Sequence, residues 1–244
     1  MLDQINQRWD ESRMGRLTIA RTGGATVTLN DIGVFIVGGV SVDDQPLWSS
    51  EFLAAGTMQW QEGPTLPVDT EITWEMPEMV LPCAVGITTT SFLVILRTDI
   101  REFDAATAGP TSNEGWRESG LWPLLKTSRS AQPGCAKIGQ KVILAGGYDG
   151  GDLTSTEVLD LVSRQILSGG DMAVPRMFFH IRTIVRGGKE KMFAVGGQDN
   201  SFSVVNTVEE WVEESSTWKA ADNLVEKRAL FGAAVVPRKL ICPV

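Results

Sequence analysis

Short apolar runs that close on paired glycines set the rhythm of this chain. They are Val34-Phe35-Ile36-Val37-Gly38-Gly39, Val142-Ile143-Leu144-Ala145-Gly146-Gly147 and Lys191-Met192-Phe193-Ala194-Val195-Gly196-Gly197. Each run is too short for a helix and is bounded by breakers, so it predicts a strand buried on both faces. The glycines then permit a bend or close backbone approach that a side chain would block. A second pattern, ending near an acid, lies over residues 100–104, 156–160 and 207–211. Its polar and apolar positions alternate, which predicts a half-covered antiparallel strand with its polar residues outward. A third pattern precedes each glycine-pair run, over residues 25–29, 83–88, 134–138 and 178–184. Several of these open after an arginine, namely Arg21, Arg129 and Arg176, and Arg228 opens a further one. Helical periodicity is absent nearly everywhere.

The runs recur at one period. Gly146 to Gly196 spans 50 residues and Gly38 to Gly146 spans 108, or two steps of 54. A degenerate copy is therefore required near residue 96, and Phe92-Leu93-Val94-Ile95-Leu96-Arg97 supplies it with the glycines replaced. A large residue follows each copy: Trp60 lies 22 beyond Gly38, Trp116 lies 20 beyond Leu96, and Trp218 lies 22 beyond Gly196. In the third unit Ile166 fills that place, 20 beyond Gly146. Each unit thus holds four short antiparallel strands joined by turns. Such a unit cannot bury both faces alone, so units must stack.

These residues resemble the kelch repeat: a first strand after Arg, a second ending Gly-Gly, a third with an acid and a fourth with Trp. The resemblance covers nearly the whole chain and is carried best by the third and fourth units. It implies an all-β fold, a kelch-type β-propeller of four-stranded antiparallel blades. The blades fall at about 21–62, 82–123, 129–172 and 176–224, within one domain over 1–244. Leu2-Asp3 to Trp9 matches Leu159-Asp160 to Ile166 in spacing, and residues 228–236 and 239–242 match a first strand and the start of a second. Four full blades plus one split between the termini, 228–244 with 1–16, are expected: five blades, or an incomplete six.

Composition narrows the function classes. The 43% hydrophobic content supports a sizeable core, yet no apolar run approaches the length needed to span a bilayer. The first residues lack the apolar core of a secretory signal, so a cytoplasmic location is expected. Cys83, Cys135 and Cys242 are odd in number and widely spaced among small or apolar residues, and read as reduced core thiols. A net charge of −8 argues against a nucleic-acid surface. One tyrosine, Tyr148, and one histidine, His180, cannot assemble the copper-radical site of some kelch propellers, and no Cys/His spacing fits zinc. His180 lies in an apolar first strand and reads as packed or channel-lining. No phosphate loop or nucleophile elbow is present, and no cofactor is expected.

Departures from the repeat are where function is expected. The longest is residues 63–81, which set Asp69, Glu71, Glu75 and Glu78 around Trp74. This is a candidate recognition loop, or a solvated insertion folded back on a blade. Residues 105–114 read as a flexible polar excursion on the opposite rim. The loops after the glycine pairs should gather on one face and present Asp43, Asp44, Arg97, Tyr148, Asp149, Asp152, Asp199 and Asn200 around one mouth. Turn chemistry accounts for Asp149, and Asp199 sits in a similar context. Tyr148 and Arg97 are not turn residues by type and are the better contact candidates. Arg21, Arg129, Arg176 and Arg228 are read as structural, satisfying backbone carbonyls. The expectation is a non-catalytic interaction module that grips a protein segment carrying basic residues, with no nucleic-acid or membrane partner. The resemblance adds the roles of kelch propellers in ubiquitin-ligase adaptors and in actin or scaffold binding. The adaptor role normally needs a BTB or F-box domain, absent from these residues. The competing expectation is a carbohydrate-active or isomerase enzyme that uses the acidic loops.

Overall fold

The computed structural model describes residues 15–67, 81–118, 120–199 and 201–235, with the backbone of Leu2–Asp3 and Arg8–Trp9. Residues 236–244 of the expected split blade lie outside them, as do Trp74 with its neighbouring acids, and Asn200. The fold is all-β and of β-propeller class, built from antiparallel blades in which sequence neighbours pair in order. The chain divides into two compact units, one of Met1–Ile95 and Arg101–Leu121, the other of Leu96–Ile100 and Trp122–Val244.

In the first unit, β1 (Leu2–Asp3) and β2 (Arg8–Trp9) pair antiparallel with Leu2 opposite Trp9, as adjacent third and fourth strands would. The first complete blade is β3 (Ala25–Leu29), β4 (Gly33–Val37), β5 (Ser50–Ala54) and β6 (Trp60–Glu62). Strict alternation in β3 and β4 points Val27, Leu29, Phe35 and Val37 into the core. The next blade orders β7 (Cys83–Gly86), β8 (Ser91–Leu96) and β9 (Asp99–Asp104). All six residues of β8 are buried, as an unbroken apolar run requires. Phe35, Phe52, Phe92 and Phe103 join one cluster in which Phe35 lies 5.0 Å from Phe92 and 5.9 Å from Phe103. Tilted and edge-on rings at these separations add roughly 0.5–1.5 kcal/mol per pair beyond the burial itself.

The fourth strand of this second blade is reduced to a bridge between Phe103 and Trp116, continued by Arg117 N–H donating to Glu102 O at 2.9 Å. Residues 105–114 are not a loose excursion. They form a one-turn helix, α1 (Ala105–Ala108), and enter a 3-10 turn over Asn113–Gly115. Asp104 Oδ1 accepts from Ala106 N–H and Ser112 Oγ from Glu114 N–H, so each turn carries its own N-cap. Trp116 still reaches the core, its ring edge-on to Phe103 at 5.1 Å.

In the second unit, one blade is β10 (Gly134–Ile138), β11 (Lys141–Ala145), β12 (Thr156–Asp160) and β13 (Ile166–Gly169). The other is β14 (His180–Arg186), β15 (Lys189–Val195), β16 (Val208–Val212) and β17 (Thr217–Ala221). One face of the first, with Ala136, Ile138, Ile143, Ala145 and Val158, shares a core with Ile181, Met192, Ala194 and Trp211 of the second. Trp218 packs on that cluster and donates from Nε1 to Thr156 Oγ1 at 2.9 Å.

Three blades carry the same buried ion pair. Arg129 donates from Nη1 to the carbonyls of Gly146 and Ser155 at 2.8 and 3.0 Å, and from Nη2 to Glu157 at 3.1 Å. Arg176 repeats this on Gly196, Thr207 and Glu209, and Arg21 on Gly38, Ser49 and Glu51. These three arginines therefore do satisfy backbone carbonyls. Arg228 does not follow: its side chain is exposed, and only its backbone repeats the pattern, accepting from Gly197 N–H at 2.7 Å. The outward glutamates expected in the third strands are also corrected, since Glu157 and Glu209 are only 4% and 3% exposed. The arginine charge draws them inward, because an isolated buried cation is far costlier than a paired one. Cys83 and Cys135 are disulfide-bonded, not reduced thiols.

Candidate functional site

The loops after the second strands share one backbone device. Val40 bridges Thr22 and Pro46, Tyr148 bridges Ser130 and Asp152, and Gln198 bridges Met177 and Val204. In each case the residue just past the glycine pair is clamped on both sides by backbone pairing. Glycine is required immediately before it: Gly147 has φ +91°, and a Cβ there would lie 2.8 Å from the carbonyl oxygen of Ser130. The clamp fixes the main chain and leaves the side chain free to vary, as Val, Tyr and Gln show.

Tyr148 is the most developed of these positions. Its carbonyl accepts from Ser130 N–H at 3.0 Å and from Ser130 Oγ at 2.8 Å, and its own N–H donates back to Ser130 O. The ring is half-buried, and its phenol makes no hydrogen bond to any described residue. Beside it, Asp149 is exposed and lies close enough to Arg129 for its charge to be felt there. Asp152, paired to Tyr148 through the backbone, has its carboxyl pushed above the usual range, first by burial and then by the negative charge of Asp199. The second unit thus brings Tyr148, Asp149, Asp152 and Asp199 into one neighbourhood.

The other expected site residues divide differently. Asp199 Oδ1 accepts from Ser201 N–H and Ser203 N–H, both at 2.9 Å, so its carboxylate shapes its own turn. Arg97 is a correction: it occupies the two-residue turn between β8 and β9 with φ +56°, so it is a turn residue after all. The replaced glycines explain this, since without them the second strand runs straight into a tight hairpin. Asp43 and Asp44 belong to the first unit and are exposed. Asp44 has φ +54°, and Ser41 Oγ accepts from the N–H groups of Asp43 and Gln45, all ordinary turn chemistry. His180 sits edge-on to Phe231 at 5.1 Å and faces the Phe231 carbonyl through Nε2. Burial and the nearby Arg182 charge hold it below the ordinary histidine range, against that hydrogen bond.

Sequence reasoning missed the role of the third-strand glutamates. A signal was available: a glutamate stands 30, 28 and 33 residues after Arg21, Arg129 and Arg176. It missed as well the charged row Arg182, Glu210 and Lys219 on the β14–β17 face turned away from the shared core. Among the described residues no group of three or more Cys, His, Asp and Glu side chains could hold a metal ion. Among them, too, no helix is long and apolar enough to cross a membrane. Compared with known proteins, the chain matches no family model, and no curated protein matches it.

Proposed function

We propose that this chain is a kelch-type interaction module that binds a protein segment through its post-glycine loops, with Tyr148 as the leading contact. The observation that carries this reading is the shared backbone clamp bearing unlike side chains at Val40, Tyr148 and Gln198. Where fold fixes the main chain but not the side chain, the side chain is available for recognition. A half-buried tyrosine whose phenol makes no hydrogen bond to a described residue is the kind of anchor that dominates binding energies. The repulsion between Asp152 and Asp199 favours a basic partner group, whose approach would relieve it. A substrate-recognition role in a ubiquitin-ligase adaptor is the finer form of this proposal. Selection from a displayed peptide library tests it. Peptides enriched on the wild-type chain should carry Lys or Arg, and Tyr148→Ala should weaken them by about tenfold or more. Unchanged binding to Tyr148→Ala would remove this face from consideration.

One observation favours a second reading. A carboxyl raised in pKa beside another carboxylate is the arrangement that acid–base enzymes use on sugars. Turnover of a glycoside by the wild-type chain, abolished in Asp152→Asn, would establish that reading in place of the first.

A further inference from the structure

The two blades of the second unit align strand for strand, and the alignment exposes a substitution of chemistry. In the first of them, Ala136 pairs with Ile143 and Ile143 with Val158, a cross-strand row that is buried in the shared core. The equivalent row in the next blade is Arg182, Phe193, Glu210 and Lys219. Thus an arginine stands in place of an alanine and a glutamate in place of a valine, on a sheet face that the repeat would otherwise make apolar. Above this row lies a cavity of about 660 Å³, with walls that include Ile184, Phe193, Val195, Val208 and Leu224. That volume falls in the range of small-molecule sites, roughly 300–1,000 Å³.

The charges of the cavity are not equivalent. Glu210 is already committed, to Lys191 at 2.7 Å and Lys219 at 3.4 Å. Arg186 and Asp222 are both exposed. Among the described residues, Arg182 alone is an inner cation held only by carbonyls, with Nε donating to Ala233 O at 3.1 Å and Nη1 to Ile181 O at 2.8 Å. No carboxylate among the described residues lies within ion-pairing distance of it. The contrast with Arg21, Arg129 and Arg176, each paired to a buried glutamate, is direct. Burial pushes the Arg182 guanidinium below its ordinary range, and no acid opposes the shift.

We propose that this cavity binds a small amphipathic carboxylate, its head on the Arg182 guanidinium and its apolar body along Phe193, Val195, Val208 and Leu224. The carboxylate supplies the counter-charge the repeat provides elsewhere, and a planar guanidinium fork suits it. The site is distinct from the Tyr148 loops and does not depend on their role.

Calorimetric titration of the full chain with decanoate, kept below micelle formation, tests the proposal, with decanol as the uncharged counterpart. Decanoate should bind at one site about tenfold or more tighter than decanol. Arg182→Met, which keeps the apolar stem and removes the charge, should lose that preference while still binding decanol, which also reports an intact pocket. Tyr148→Ala should leave decanoate binding within about twofold. Equal affinity for decanoate and decanol, an unchanged preference in Arg182→Met, or no binding of either ligand would overturn the proposal. So would a sedimentation profile showing a dimer from which decanoate is excluded, since the face would then belong to a second copy.

Discussion

Replacing Glu209 by glutamine is the most informative perturbation of the scaffold. Glu209 Oε1 accepts from Arg176 at 2.7 Å, and the carboxylate also accepts from the N–H groups of Ala173 at 2.8 Å and Val174 at 3.3 Å. The Arg176 side chain is 0% and that of Glu209 4% exposed, so solvent cannot screen the charge that remains. Glutamine preserves the volume but strands a buried guanidinium, for which the expected loss is about 3–5 kcal/mol. Against a total of roughly 5–15 kcal/mol for a folded domain, that is a large fraction. The internal control is Glu213→Gln, which breaks the half-exposed 3.3 Å pair with Lys141. That change is expected to lose no more than about 1 kcal/mol. Urea unfolding followed by tryptophan fluorescence and by circular dichroism measures both. A second comparison separates an ion pair from a wider network. Were Arg176 and Glu209 simply a pair, Arg176→Met with Glu209→Leu would restore stability. Because Arg176 also donates to the carbonyls of Gly196 and Thr207, the double variant leaves those acceptors orphaned. It should stay about 2 kcal/mol or more below wild type. Glu209→Gln within 1 kcal/mol of Glu213→Gln, or full recovery in the double variant, would refute the reasoning.

Three further outcomes are expected. Gly146→Ala should destabilise by about 2 kcal/mol or more, because φ +65° disfavours any side chain and the Cβ meets the Arg176 carbonyl; Gly150→Ala, at φ +72° with open space around it, should lose less. Burial pushes the Glu51 carboxyl up, but hydrogen bonds from Thr18, Arg21 and Ile19 outweigh it and hold the pKa low, so Glu51 stabilises the fold above the ordinary glutamate range. That contribution should be lost as pH falls through the depressed folded value, and acid titration of Glu51→Gln should lack that component. Asp152 has the opposite sign: its raised pKa means stability falls as pH rises from the ordinary aspartate value through the folded one. Asp152→Asn should therefore gain stability at neutral pH relative to wild type, and the gain should vanish below the ordinary aspartate range; an unaltered pH profile would contradict this.

Much of the scaffold was legible because each strand type has its own pattern. Strands β3 and β10 coincide with the expected residues 25–29 and 134–138, and Trp60 and Trp218 fall in β6 and β17 as their spacing required. What escaped was chemistry that depends on pairs far apart in sequence. Glu157 looks like an outward residue of an alternating strand until Arg129, 28 residues earlier, is seen to need it. The helical turn at Ala105–Ala108 rests on one local cap, too weak a signal beside a glycine and a proline. Tyr148 and Arg97 were singled out as residues foreign to turns, Tyr148 also as the chain's single tyrosine; the turn at Arg97 went unread because its left-handed backbone is set by lost glycines, not by its own type. The Arg182 row was invisible in sequence, since only the pairing register shows which alanine it replaces.

The repeated arginine–glutamate pair also acts as a check on strand register. Side chains alternate between sheet faces, so a one-residue slip of β12 would carry Glu157 to the other face. Arg129 would then remain buried without its acid, at an expense of several kcal/mol that no shuffling of similar aliphatic residues could offset. Strands such as β11, with four buried apolar residues in succession, discriminate weakly between neighbouring registers on hydrophobicity alone. A charge that must meet its partner does so strongly. Placed once in each of three blades, it lets near-identical hairpins be stacked in series while each is held to a single alignment.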